Sequence, residues 1–136
     1  MLIDIDKILD EARVLGCSDL HFTFGMAPVV RLNGNLRKLS SYDLMDEEAI
    51  SDIAHKICPE ELRDRLNKHL DCDFSYVTKR GYRHRVNVFR QRYHTAIALR
   101  LLRNDIPTLD DLRLPPILAD FAMRPRGLVL ITGPTG

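Results

Sequence analysis

The chain has 136 residues, which is about one domain and enough to bury a hydrophobic core without disulfides or metal ions. With 45% apolar and 29% charged residues and a net charge of +1, the composition gives no indication of nucleic acid or an anionic membrane as a partner. No apolar run approaches the roughly 18 residues of a membrane span. The acidic N-terminus argues against a signal peptide, and three scattered cysteines without a CxxC pair predict reduced thiols in a cytoplasmic protein.

The first part of the chain predicts a helix followed by three strands. Apolar residues at helical spacing predict a helix over about residues 4–15, and alternation predicts a strand over 18–24. Asn33-Gly34 separates two short apolar runs, 29–32 and 35–39, and predicts a β-hairpin because both turn residues favour positive φ.

The middle of the chain predicts two further helices and then three strands. Ile50, Ile53, Ala54 and Ile57 have helical spacing, and Pro59 opens a second short helix. Strands are predicted at 72–77, 82–91 and 95–102.

The character of the sequence changes at residue 103, where four prolines interrupt an apolar segment that has one capping box, Thr108 to Asp111. The continuous apolar run 128–131 then predicts a strand buried on both faces, as in a parallel sheet. We therefore expect an α/β (α+β) domain with a mostly antiparallel sheet over 1–102, a linker over 103–126 and the start of a second domain over 127–136.

The last two strands of the first domain carry a pattern of arginines. If they pair around a turn at Arg92-Tyr93, Arg85 lies opposite Arg100 on one face, and Arg83 adds a third positive charge there. Like charges directly opposite each other are unfavourable, so this face suits a bound anion such as phosphate. Two alternatives stay open: the arginines reach separate carboxylates or water, or a one-residue bulge places them on opposite faces.

The chain ends with Gly133, Pro134, Thr135 and Gly136, which match the first half of a GxxxxGK[ST] phosphate-binding loop after a buried strand. An ordinary glycine-rich turn is the alternative. Because the second Gly, the Lys and the Ser/Thr of the motif are missing, we expect this fragment to lack ATPase activity and to have little nucleotide affinity.

Two further groupings are candidates for chemistry. Asp19 and His21 lie on one side of a predicted strand, where they could form a catalytic or metal-binding pair or a structural contact. The basic residues between Arg80 and Arg100, with aromatic residues among them, could bind nucleic acid, but the near-zero net charge argues against that.

Four ordered strings resemble one family, the secretion and type IV pilus ATPases. Cys17-Ser18-Asp19-Leu20-His21 is similar to their A-S-D-L-H motif, and residues 85–91 are similar to their R-V-N-x-F-x-Q strand. Residues 106–115 resemble their linker, and 127–136 resemble the run into their Walker A loop. Ser18-Asp19-Leu20-His21 comes within about twenty residues of Met1, which favours the pilus-retraction motors of twitching motility or a short competence-type relative.

The resemblance implies a PAS-like N-terminal domain, a linker and the first strand of a RecA-like, P-loop ATPase core, assembled as a homohexamer. It implies ATP and Mg²⁺ in the full-length enzyme, an inner-membrane pilus platform protein as partner, no nucleic acid, no direct membrane insertion and a cytoplasmic location. It also implies that Arg85 and Arg100 reach the nucleotide phosphates. A secretion, pilus-assembly or competence ATPase, or a PAS-like sensor or docking module, is the alternative.

Three positions depart from the family pattern: His84 replaces an aromatic residue, Arg92-Tyr93 stands where Gly is common, and Arg113 replaces a linker Gly. None of these departures touches Arg85 or Arg100.

Overall fold

The computed structural model describes residues 3–133, and the chain divides into two compact units between Asn104 and Asp105. The first unit is a mixed α/β fold built on a six-stranded antiparallel sheet. Its helices are α1 (Ile5–Val14), α2 (Glu47–Ile57) and α3 (Arg63–Asn67), the last preceded by a 3-10 turn at Glu60–Leu62. Its strands are β1 (Asp19–Phe22), β2 (Val29–Leu32), β3 (Asn35–Lys38), β4 (Cys72–Val77), β5 (Arg83–Gln91) and β6 (His94–Leu101).

The strands lie in the order β3-β2-β1-β6-β5-β4, so the sheet joins two meanders through the β1–β6 pair. Each meander is built from neighbours along the chain, and β1–β6 is the long-range pairing. This central pair brings the N-terminal Ser18-Asp19-Leu20-His21 segment beside the arginine-bearing strand β6.

Local sequence explains the helix ends. Asp4 caps α1 by accepting a hydrogen bond from the backbone N–H of Asp6, and Asp46 caps α2 by accepting one from Ala49. Each helix then turns one apolar stripe toward the sheet, comprising Ile5, Ile8, Leu9 and Ala12 in α1 and Ile50, Ile53, Ala54 and Ile57 in α2. These stripes pack with Leu20, Phe22, Val86 and Leu99 into one hydrophobic core.

The two hairpin turns differ in their residues but share positive φ. Asn33 and Gly34 have φ of 49° and 80°, as the Asn-Gly signal predicts. Arg92 and Tyr93 have φ of 49° and 73° without a glycine to ease the conformation.

The second unit contains α4 (Ile117–Ala122) and the capping box, in which Asp111 accepts hydrogen bonds from the backbone N–H and Oγ1 of Thr108. The predicted strand at 128–131 is not formed: these residues pair with no other described segment and are exposed. A β-strand needs a neighbour for its backbone hydrogen bonds, and a continuous apolar run does not itself supply one.

Among the described residues, no helix is long and apolar enough to cross a membrane.

Candidate functional site: the open face of the sheet

The two faces of the hairpin formed by β5 and β6 have opposite characters. Val86 lies across from Leu99 and Val88 from Ile97, and all four side chains are buried beneath the helices. On the other face, which we term the open face, Arg85 lies directly across from Arg100. Their side chains are 69% and 68% exposed.

The register confirms the predicted pairing and shows that no bulge separates the two arginines. Pairs run without interruption from His84–Leu101 to Gln91–His94, so Arg85 and Arg100 share a face. Arg83 follows the same alternation on β5 and is also exposed. Arg90 lies on the other face of β5, the side covered by the helices, where it donates a hydrogen bond to Glu47. The basic residues therefore do not form one continuous patch.

Asp19 lies in the same cross-strand row as the arginines. Its neighbours across the sheet are Arg31 on β2 and Arg100 on β6. Asp19 Oδ2 is 3.4 Å from Arg31 Nε, and Oδ1 is 3.3 Å from Arg100 Nε. Ser18 Oγ also donates a hydrogen bond to Asp19 Oδ2 at 2.8 Å. Asp19 is thus the centre of a charged network that spans three strands.

Arg85 has a looser partner. Its Nη2 is 3.7 Å from Asp73 Oδ1, and both side chains are mostly exposed. The two arginines therefore contact different carboxylates, which is one of the alternatives that the sequence left open. An exposed ion pair such as Arg85–Asp73 contributes about 0–1 kcal/mol, so it forms no strong barrier to a competing anion.

The Asp19–His21 pair is not arranged as a proton relay. Both Asp19 oxygens are engaged by arginines or Ser18, and His21 Nε2 is buried without a hydrogen-bond partner. Burial lowers the pKa of His21, partly offset by the negative charge of Asp19. Among residues 3–133, no group of three His, Cys, Asp or Glu side chains could hold a metal ion.

Only the first residue of the partial phosphate loop is among the described residues. Gly133 is described and exposed, whereas Pro134, Thr135 and Gly136 lie outside the described residues. Their nucleotide-binding role remains a prediction.

Sequence reasoning missed a polar cluster beneath the hairpin turn. Glu47, in the first turn of α2, accepts hydrogen bonds from Thr95 N, Thr95 Oγ1 and Arg90 Nη1 and contacts His94 Nδ1. Burial alone would raise the pKa of Glu47, but the hydrogen bonds from Thr95 and His94 and the charge of Arg90 hold it below its usual value. The ring of His94 also stacks on Phe24, with 3.7 Å between centroids. Glu47 thereby fixes α2 to the start of β6.

A second missed contact involves His84, which is completely buried. Its Nε2 is 3.3 Å from Arg13 Nη2, and Arg13 also donates to the carbonyl of Leu102 and lies over the ring of Tyr82. Burial and the charge of Arg13 lower the pKa of His84. The only sequence signal for this contact was the departure from an aromatic residue at that position.

Comparison with known proteins identifies relatives across nearly the whole chain. The chain is 30% identical over 134 residues to the type IV pilus retractation ATPase PilT of Pseudomonas aeruginosa and 32% identical over 134 residues to the type IV pilus ATPase PilU of the same organism. A crystal structure of the pilus retraction motor PilT with bound ADP matches with a TM-score of 0.89 and 38% identity. No protein-family model matches.

These matches cover 98% of this chain but only part of the relatives. The chain spans 39% of the length of the P. aeruginosa PilT and 35% of PilU. It also spans 39% of the PilT chain of known structure. The likeness therefore concerns one part of a longer architecture in those proteins.

Proposed function

We propose that this chain belongs to the family of PilT-like pilus ATPases and is the N-terminal part of an ATP-driven motor that retracts type IV pili in twitching motility. Residues 1–102 would form its PAS-like domain, 103–126 its linker and 127–136 the start of its RecA-like core. The complete protein would act as a cytoplasmic homohexamer that hydrolyses ATP with Mg²⁺ and works on an inner-membrane pilus platform protein.

The observation that carries the proposal is the paired position of Arg85 and Arg100. Two guanidinium groups project from directly opposed positions on the open face, where like charges repel. Each has only a separate carboxylate partner, Asp73 for Arg85 and Asp19 for Arg100, so the pair as a whole keeps the capacity to bind a further anion. Guanidinium groups match phosphate oxygens as bidentate donors, so ATP phosphates docked here would gain two charge-assisted contacts. Arg83, at the exposed end of β5, would add long-range attraction.

The chemical role of these arginines would be electrostatic. In phosphoryl transfer, charge accumulates on the phosphate oxygens, and a preorganised guanidinium group stabilises it more in the transition state than in the ground state. In a complete phosphate-loop motif, the Ser/Thr hydroxyl would hold Mg²⁺ together with the nucleotide phosphates.

The deciding experiment measures ATP hydrolysis by the protein expressed from the complete gene. Arg85→Ala and Arg100→Ala are each expected to lower kcat about a hundredfold, as for other residues that stabilise developing charge. Arg37→Ala is the matched control, because Arg37 is an exposed arginine on β3 at a position of the opposite face. Full activity in the Arg85 and Arg100 variants would contradict the proposal and favour a docking or sensing module.

A strain that lacks the gene distinguishes a pilus-retraction role from a role in pilus assembly, protein secretion or DNA uptake. Retraction predicts cells that keep surface pili but lose twitching motility. Loss of pili, or a defect confined to protein secretion or DNA uptake, would assign the chain to an assembly, secretion or competence ATPase instead. The 136-residue chain by itself should be mostly monomeric or weakly associating in light scattering and inactive toward ATP, and a stable hexamer would contradict that expectation.

A further inference from the structure

Asp19 differs from the other charged residues of its row in being largely enclosed. Its side chain is 14% exposed, compared with 39% for Arg31 and 68% for Arg100. It is held by donors on three sides: Ser18 Oγ, Arg31 Nε and Arg100 Nε. Contacts of this kind hold the Asp19 carboxylate in one orientation on a surface that otherwise faces solvent.

The contact between Asp19 and Arg100 involves only one of the three guanidinium nitrogens. Asp19 contacts Nε, on the inner side of the guanidinium group. The two terminal nitrogens are outside this contact and extend farther from the backbone, and together they can still form a forked contact to phosphate. Engaging Nε therefore restricts the side chain without occupying the terminal nitrogens.

Arg85 provides the contrast. Its carboxylate partner, Asp73, is 58% exposed and contacts a terminal nitrogen at 3.7 Å. That contact uses a terminal nitrogen that a phosphate would take, so an incoming anion would displace Asp73. Asp19 and Arg100 would stay together while the anion binds.

We propose that Asp19 is a positioning residue that holds the Arg100 guanidinium in a phosphate-ready orientation from its inner side. The inference rests on the proposed contact of Arg100 with ATP phosphates. Asp19 also places a negative charge between Arg31 and Arg100, which offsets the repulsion that otherwise drives the arginines apart. Because Asp19 already restricts the Arg100 side chain, that side chain loses less conformational freedom when it contacts the transition state than a freely moving arginine would.

The test is a double-mutant cycle on ATP hydrolysis by the complete protein, using Asp19→Asn, Arg100→Ala and the double variant. Asp19→Asn preserves the shape of the side chain and removes its charge. We expect it to lower kcat about tenfold with little change in KM, since it loosens Arg100 rather than removing a contact to the ground state. In the Arg100→Ala background the same substitution should change kcat less than about twofold, because its target is gone.

Asp10→Asn is the matched control, since Asp10 Oδ2 contacts the Nε of Arg80 at 3.4 Å in an equivalent pair on a different part of the surface. It should hydrolyse ATP like the parent protein. Thermal unfolding of each variant separates a folding defect from a kinetic one.

The outcomes separate this inference from the proposed function. If Arg100→Ala hydrolyses ATP as the parent does, the phosphate contact fails and the positioning role fails with it. If Arg100→Ala is impaired but Asp19→Asn is fully active, the phosphate contact stands and only the positioning role is overturned. An equal loss from Asp19→Asn with and without Arg100 would also overturn it, since Asp19 would then act by another route.

Discussion

The covered and open faces of the sheet use neighbouring residues of the same strands for different purposes. On β6, Leu99 is buried under the helices while Arg100 projects into solvent on the other side. The covered face joins α1, α2 and the sheet into one apolar core. The open face carries the exposed Arg85–Asp73 pair and the charged network around the largely enclosed Asp19. Stability is therefore concentrated on one face, which leaves the other free to carry charges that a stable fold does not need.

The comparison also shows where polar groups are tolerated on the covered side. Glu47 and His84 belong to the covered side, but each is at its margin, where a helix meets the end of a strand. There they fix the helices in position through polar contacts. On the open face the polar contacts are mostly single and exposed, apart from the network around Asp19.

The largest expected effect comes from truncating the covered face. Leu99→Ala should lower the free energy of unfolding by about 3 kcal/mol, because it leaves a cavity at a fully packed position. Arg100→Ala, one residue along the same strand, should change it by less than about 1 kcal/mol. Urea denaturation of the 136-residue chain measures both. Equal losses would contradict the division of roles between the faces.

A smaller effect is expected at the margin of the covered face. Glu47→Gln should cost about 1–2 kcal/mol, since it removes the charge that accepts the hydrogen bonds of Thr95 and Arg90. The loss should shrink in acid, because a carboxyl with a lowered pKa stabilises the fold above its unfolded pKa and ceases to do so as pH falls through the folded pKa. Glu48→Gln, in the same first helical turn but exposed, is the control and should be nearly neutral.

The pH dependence of stability tests the buried histidine. The lowered pKa of His84 means that the unfolded chain binds more protons below about pH 6.5, so stability should fall as the pH decreases through that value, with His21 contributing in the same direction. His84→Phe should reduce the slope of this decline by up to about 1.4 kcal/mol per pH unit, which is the slope that one titrating proton contributes. His55→Gln, at an exposed histidine, is the control for the loss of an imidazole. An unchanged profile in His84→Phe would mean that His84 is not the group responsible.

The smallest effect is expected at the turn that joins the two arginine strands. Replacing Arg92 by Asn and Tyr93 by Gly should stabilise the chain by about 1 kcal/mol, because both positions have positive φ. Gly34→Ala in the other hairpin should destabilise it by a similar amount for the same reason. Chemical denaturation measures both changes. A loss of stability on relieving the Arg92-Tyr93 turn would show that those side chains make contacts worth more than the strain.

Much of the fold could be predicted because its signals are local. The Asn-Gly turn, the helical stripes and the capping box at Thr108 each depend on a few adjacent residues, and the structure confirms them. The register of β5 with β6 was also predictable, since a two-residue turn fixes every pair along a hairpin. From that register alone, Arg85 and Arg100 could be placed opposite each other.

The rest depended on pairings between distant parts of the chain. The sequence by itself determined the helices and strands of the first unit, the alternation of faces and the presence of two opposed arginines, because these follow from periodicity and turn chemistry. Only the tertiary structure decided that β1 lies beside β6, and so that Asp19 sits between Arg31 and Arg100. It likewise decided that Glu47 meets Thr95, and that residues 128–131 remain unpaired in the described chain. The physical reason is that strand pairing and helix docking reward contacts across many residues, which no local pattern encodes.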